Sequence, residues 1–230
     1  QAGTNGTDLT STLSAQGDVL YRDGSGLQRL AKGTASQSLT MNSGATAPEW
    51  TTPSGGGAWT HISKATPSSS ATADFTGFNA SIYDSYAFIF NMLPENDAQN
   101  CMVQCSTDGG SSYASSAEYR QVSTYQLSSA STPTGSALTG HQSFFMTGGY
   151  GVGNATNEGI AGVFWIYAPD STAYTRVSFH ASNIDRYGNQ LNSVGSGHLM
   201  LASDVDAVRF KFSSGNIVSG EINMYGVKNS

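Results

Sequence analysis

In several runs between residues 59 and 230, apolar residues alternate with polar ones, and turn sequences separate the runs. No other feature constrains the fold as tightly. Successive side chains of a strand point to opposite faces, so a period of two marks a strand with one buried side. In Ala173–Ala181 the apolar set is Val177, Phe179 and Ala181, while Tyr174, Arg176, Ser178 and His180 take the other face. Between Val208 and Phe212 the charged Arg209 and Lys211 fall on the outer side. In the last run Ile222 and Met224 share one face, Asn223 and Tyr225 the other. No window shows helical periodicity with caps.

The alternation predicts about eleven strands. They are Trp59–Lys64, Ala73–Asn79, Ser85–Leu93, Asn100–Ser106, Glu118–Leu127, His141–Thr147, Gly159–Ala168, Ala173–Ser182, Gly197–Ser203, Val205–Ser213 and Gly220–Lys228. Asp108-Gly109-Gly110, Pro169-Asp170, Tyr187-Gly188-Asn189 and Ser214-Gly215-Asn216 supply turns. Ser128–Gly140 and Gly148–Asn157 read as long polar loops. Strands without α-type crossovers predict an all-β fold, an antiparallel β-sandwich of jelly-roll type.

Composition excludes several alternatives. Charged residues make up 11% of the chain, against about 25% in an average soluble domain, so a coiled coil or helical bundle is ruled out. Eleven Tyr, ten Phe and three Trp argue against a disordered chain. The net charge of −6, with scattered basic residues, speaks against nucleic acid as a partner. Near-apolar stretches such as Tyr86–Leu93 are too short to span a bilayer, so no membrane insertion is expected. The first residues carry neither a charged n-region nor an apolar h-region, so no signal peptide is expected there. Cys101 and Cys105 lie four residues apart on one predicted strand, about 13 Å apart and beyond the roughly 7 Å reach of a disulfide, so both are expected reduced.

The aromatics divide the chain near residue 58. Only Tyr21 and Trp50 precede it. Residues 1–58 therefore read as an extended segment closed by the linker Thr52-Pro53-Ser54-Gly55-Gly56-Gly57, and residues 59–230 as the β-sandwich. The first segment cannot bury a core. It is either disordered or ordered by contact with other surfaces, such as further copies of itself.

Catalytic constellations are missing. There is no G-x-S-x-G elbow and no H-E-x-x-H. The run Gly149-Tyr150-Gly151-Val152-Gly153 precedes polar residues rather than a helix, so it is not a nucleotide loop. Two carboxylate pairs, Glu95 with Asp97 and Asp204 with Asp206, are the candidates for the paired acids of glycoside hydrolysis, but both suit Asx-type turns. The cluster Glu95, Asn96 and Asp97 is also a candidate calcium site, because hard cations take clustered oxygens. Tyr150, Asp185, Arg186 and Tyr187 fall in predicted loops, where they serve either the loops themselves or an aromatic platform for sugar. Trp165, in mid-strand, is expected to pack in the core. No catalytic residue and no cofactor are expected.

One segment carries a family resemblance. Residues 17–30, Gly-Asp-Val-Leu-Tyr-Arg-Asp-Gly-Ser-Gly-Leu-Gln-Arg-Leu, resemble a segment common in bacteriophage tail-fibre and virion-surface proteins. The resemblance continues through Gly33-Thr34-Ala35-Ser36-Gln37-Ser38-Leu39-Thr40, Ser43-Gly44 and Ala47-Pro48-Glu49-Trp50. Short pieces of the body resemble a C-terminal domain of virion proteins from marine and freshwater phages: Leu93-Pro94-Glu95-Asn96-Asp97, Ser106-Thr107-Asp108-Gly109-Gly110-Ser111-Ser112-Tyr113 and Met224-Tyr225-Gly226. The resemblance implies a structural protein on the virion surface, a fibre or spike, forming a homotrimer and touching host-surface glycan and other virion proteins of tail or capsid. A head fibre or capsid decoration protein is the alternative; a polysaccharide depolymerase fits less well. In the trimer, Leu20, Leu27, Leu30 and Leu39 are expected to meet at a shared axis.

Overall fold

The computed structural model describes residues 12–53 and 58–228. The Gly-rich part of the expected linker, residues 54–57, lies outside the described residues. Two compact units make up the chain, residues 1–57 and 58–230.

The first unit contains two antiparallel hairpins: β1 (Val19–Asp23) with β2 (Gly26–Leu30), and β3 (Ser38–Met41) with β4 (Pro48–Thr51). None of the described residues 12–53 is fully buried, so polar contacts organise this unit. Asp18 accepts hydrogen bonds from the backbone of Ser14, Ala15 and Lys32 and a 2.6 Å ion pair from Arg29. The Arg29 hydrogen bond, joined by those of the backbone, holds its carboxyl down at about 2. Trp50 donates its indole N–H to the Ala31 carbonyl at 2.7 Å. Its ring lies over Gly33, where a Cβ would come within 2.7 Å of the indole.

The second unit is an antiparallel two-sheet β-sandwich. Its strands are β5 (Trp59–Ala65), β6 (Ser68–Ser70), β7 (Ala73–Phe75), β8 (Tyr83–Pro94), β9 (Cys101–Ser106), β10 (Tyr119–Leu127), β11 (Thr134–His141), β12 (Phe144–Phe145), β13 (Gly159–Tyr167), β14 (Arg176–Ile184), β15 (Gln190–Leu199), β16 (Ala207–Phe212) and β17 (Ile217–Lys228). The large sheet runs β11-β10-β15-β14-β13-β8-β17-β5, with β6 also on β17; the small sheet runs β12-β9-β16-β7. The strands thus divide nine to four.

Aromatic rings fill the space between the sheets. Phe88 and Phe164 of the large sheet meet Phe210 of the small one, with centroids 5.4 and 6.1 Å apart. Phe144 packs on Phe164 at 6.0 Å and on Tyr119 at 4.8 Å. Two buried polar side chains fasten the sheets, because burial leaves them no water to bind. The Tyr119 hydroxyl accepts from the Cys105 N–H and donates to the Ala114 carbonyl. Gln121 accepts from the Phe145 N–H at 2.9 Å and donates to the Phe145 carbonyl at 2.7 Å.

Several expectations change. The stretch Ser128–Gly140, read as a loop, contains most of edge strand β11. The strand expected at Gly197–Ser203 instead runs over Gln190–Leu199. The strand expected at His141–Thr147 shrinks to Phe144–Phe145, and Met146 and Val152 beyond it turn into the core.

Candidate functional site: the outer face of the large sheet

One face of the large sheet covers the core, and the other is turned outward. The register shows which residues share the outer face. One row crosses all eight strands of the main path: Thr139, Arg120, His198, Arg176, Tyr167, Ser85, Val227 and Trp59. The next row is Ala137, Val122, Ser196, Ser178, Trp165, Ala87, Tyr225 and His61.

The rows have two different ends. Toward β5 they form an aromatic cluster. Trp59 meets Trp165 edge to face at 4.9 Å, and Tyr225 at 6.0 Å. Tyr225 in turn packs against His61 at 5.3 Å. The small Ser85 and Ala87 of β8 leave room for the indoles to lean toward each other. Toward β11 the rows form a groove of about 740 Å³ lined by Arg120, Val122, Tyr167, Tyr174, Arg176 and His198, among others. Tyr167 joins the two ends. Its ring stacks on Trp165 with an interplanar angle of 3°, and its hydroxyl lies 2.8 Å from the Ser178 hydroxyl. At the groove, Tyr174 stacks on the His198 imidazole at 5.6 Å. Exposed rings beside hydroxyls and guanidinium groups offer stacking surface and directional hydrogen bonds together, which is what a sugar ring requires.

The residues singled out from sequence are placed elsewhere. Asp185 is completely buried and is not available as a surface contact. It organises its own turn, accepting from the N–H groups of Tyr187 and Asn189 at 2.9 Å each and from the Asn189 amide. Burial opposes its charge, but these hydrogen bonds prevail and hold its carboxyl below the ordinary value. Arg186 lies over the Tyr187 ring at 4.7 Å, and Tyr187 is two-thirds exposed. Tyr150 is exposed on the loop after β12, with its ring against Tyr125 at 6.2 Å. Trp165, expected in the core, stands on the outer face instead, because Phe164 and Ile166 take the inner positions of β13.

Glu95 and Asp97 serve backbone. Glu95 accepts from the Asn216 N–H and Asp97 from the Ala98 N–H, each at 2.9 Å. Among the described residues no group of three or more His, Cys, Asp or Glu is placed to hold a metal ion. In the first unit the leucines separate. Leu20 and Leu27 share one face of the β1–β2 hairpin with Arg22 and Arg29, Leu30 lies on the other with Val19 and Tyr21, and Leu39 stands opposite Trp50.

No motif in the sequence singles out Arg120, Arg176, His198, Tyr174 or Trp59 as site residues. The outward positions of Tyr174 and Arg176 were visible in the alternation, but their neighbours across β15 and β10 were not. Comparison with family models, with curated proteins and with solved structures finds no match for this chain.

Proposed function

We propose that this chain is a non-enzymatic structural component of a bacteriophage virion, displayed on the particle surface as a fibre or spike, and that its β-sandwich attaches to host-surface glycan. The virion assignment rests on the resemblance of residues 17–50. The glycan assignment rests on one observation, the outer sheet face on which Trp59, Trp165, Tyr167 and Tyr174 stand beside hydroxyl and guanidinium groups. Tyr and Trp offer broad contact at small entropic cost, which suits adhesion. The first unit serves as the trimerising or anchoring element in this reading. Leu27 and Leu39, 44% and 47% exposed, supply apolar surface for further copies.

Antibody against this chain, imaged on intact virions, is expected to label fibres or spikes. Label spread over the capsid lattice would overturn the fibre assignment. Binding of the purified full chain to a glycan array is expected at one or more sugars, and silence across the array would remove the attachment role. Light scattering is expected to give three times the chain mass, and a monomer would remove the trimer.

A further inference from the structure

Arg120, His198 and Arg176 stand side by side on three adjacent strands, β10, β15 and β14, with His198 directly paired to both arginines. Arg120 and Arg176 flank His198 rather than face each other, and like charges gathered on one sheet face are ordinarily relieved by a carboxylate among them. Here no such relief is present. Among the described residues the three ion pairs are Arg29 with Asp18, Lys64 with Glu221 and Arg209 with Asp74. No residue lining the groove is Asp or Glu. Neither Arg120 nor Arg176 has a side-chain hydrogen bond or a ring partner among the described residues. On a chain with 16 acidic and only 10 basic residues, an unneutralised pair of guanidiniums in one concavity is a local reversal of sign.

The backbones of Arg120 and Arg176 are two strand spacings apart, about 10 Å, and both residues line the one groove. A guanidinium binds a carboxylate with two parallel hydrogen bonds. The stacked Tyr174–His198 pair and the Tyr167 ring flank the same groove, so a flat sugar face has rings to rest on.

We infer that the groove on β10, β14 and β15 binds an acidic polysaccharide whose sugars carry carboxylates, with Arg120 and Arg176 as the carboxylate contacts and Tyr174 and Tyr167 as the stacking surface. This rests on the glycan-attachment reading and narrows it to a chemical class and a place.

The test uses the full chain in affinity electrophoresis and calorimetry, with polygalacturonate as the acidic probe and dextran as the neutral one. The wild type is expected to bind polygalacturonate and not dextran at equal sugar concentration, and to weaken as sodium chloride is raised. The double variant Arg120→Gln/Arg176→Gln is expected to bind at least tenfold more weakly. Without ligand it should melt at the same temperature as the wild type, because both arginines are exposed and neither has a side-chain partner to lose among the described residues. A purely structural role for the arginines would lower that temperature instead and would overturn the inference. Equal binding of both polysaccharides overturns the acidic preference and leaves glycan attachment standing. Binding of neither, with an empty glycan array, overturns both. A change of oligomeric state in the double variant would make the face a contact between copies and overturn the inference.

Discussion

Trp59 and Trp165 meet edge to face with ring centroids 4.9 Å apart, although β17 and β8 lie between their strands. Three strand spacings amount to about 14 Å, so both indoles lean far across the sheet. They do so over Ser85 and Ala87, the small outward residues of β8. The outer face is therefore partly self-organised before any ligand arrives.

Edge-to-face aromatic pairs contribute about 0.5–1.5 kcal/mol beyond the area they bury. Trp59→Ala and Trp165→Ala should each lower the melting temperature, and the double-mutant cycle in urea should give a coupling energy in that range. Additive effects would mean that the ring contact contributes nothing of its own.

Asp185 and Tyr187 are two residues apart and should behave oppositely. Asp185→Ala leaves the N–H groups of Tyr187 and Asn189 without their acceptor, at a cost of about 1–3 kcal/mol. Tyr187→Ala removes a side chain that is 66% exposed and should shift stability by less than about 0.5 kcal/mol. Chemical denaturation of the two variants checks both.

Asp108 gives the second unit an acid-sensitive turn. Its carboxylate accepts from the Ser112 hydroxyl and N–H and from the Ser106 hydroxyl. The Ser112 hydroxyl bond leads in holding it down from 3.8 to about 2. Between these values the unfolded chain binds the proton and the folded chain does not, so stability falls with falling pH. The contribution is complete above about pH 4 and is lost on the way down to about pH 2. Melting temperatures across this window should fall less for Asp108→Asn than for the wild type.

Cys101 and Cys105 are both completely buried and unpaired on the inner side of β9. Burial raises both thiols, that of Cys105 to about 12, and the thiolate is the reactive form. A thiol reagent such as Ellman's should titrate neither cysteine in the native protein and both in denaturant. Fast reaction without denaturant would contradict the packing of β9.

The alternation was legible where an apolar residue marks every second position. In β14, Val177, Phe179 and Ala181 face the core as expected. It failed where the inner positions are small. β15 turns Ser193, Gly195 and Gly197 inward because the Phe179 and Phe144 rings occupy that space. A Cβ at Gly195 would stand 2.3 Å from Phe179, and one at Gly197 2.8 Å from Phe144. The expected strand takes in the apolar run Leu199-Met200-Leu201 and so passes the true end at Leu199. β11 has Leu138 and His141 as its largest side chains and takes its register from β10, so on its own it reads as loop. In β13 the run Val163-Phe164-Trp165-Ile166-Tyr167 is apolar throughout. Period two then carries no phase, and the sequence does not say which face Trp165 takes.

By itself, the sequence determined that the body is built of strands around an aromatic core and that its cysteines stay unlinked, because alternation and spacing are local properties of the chain. The tertiary structure alone decided that Arg120, His198 and Arg176 form one row, that Trp59 reaches Trp165, and that Asp185 turns inward. Neighbours across a sheet are set by strand order and register, and a shift of a single residue exchanges the two faces of a strand.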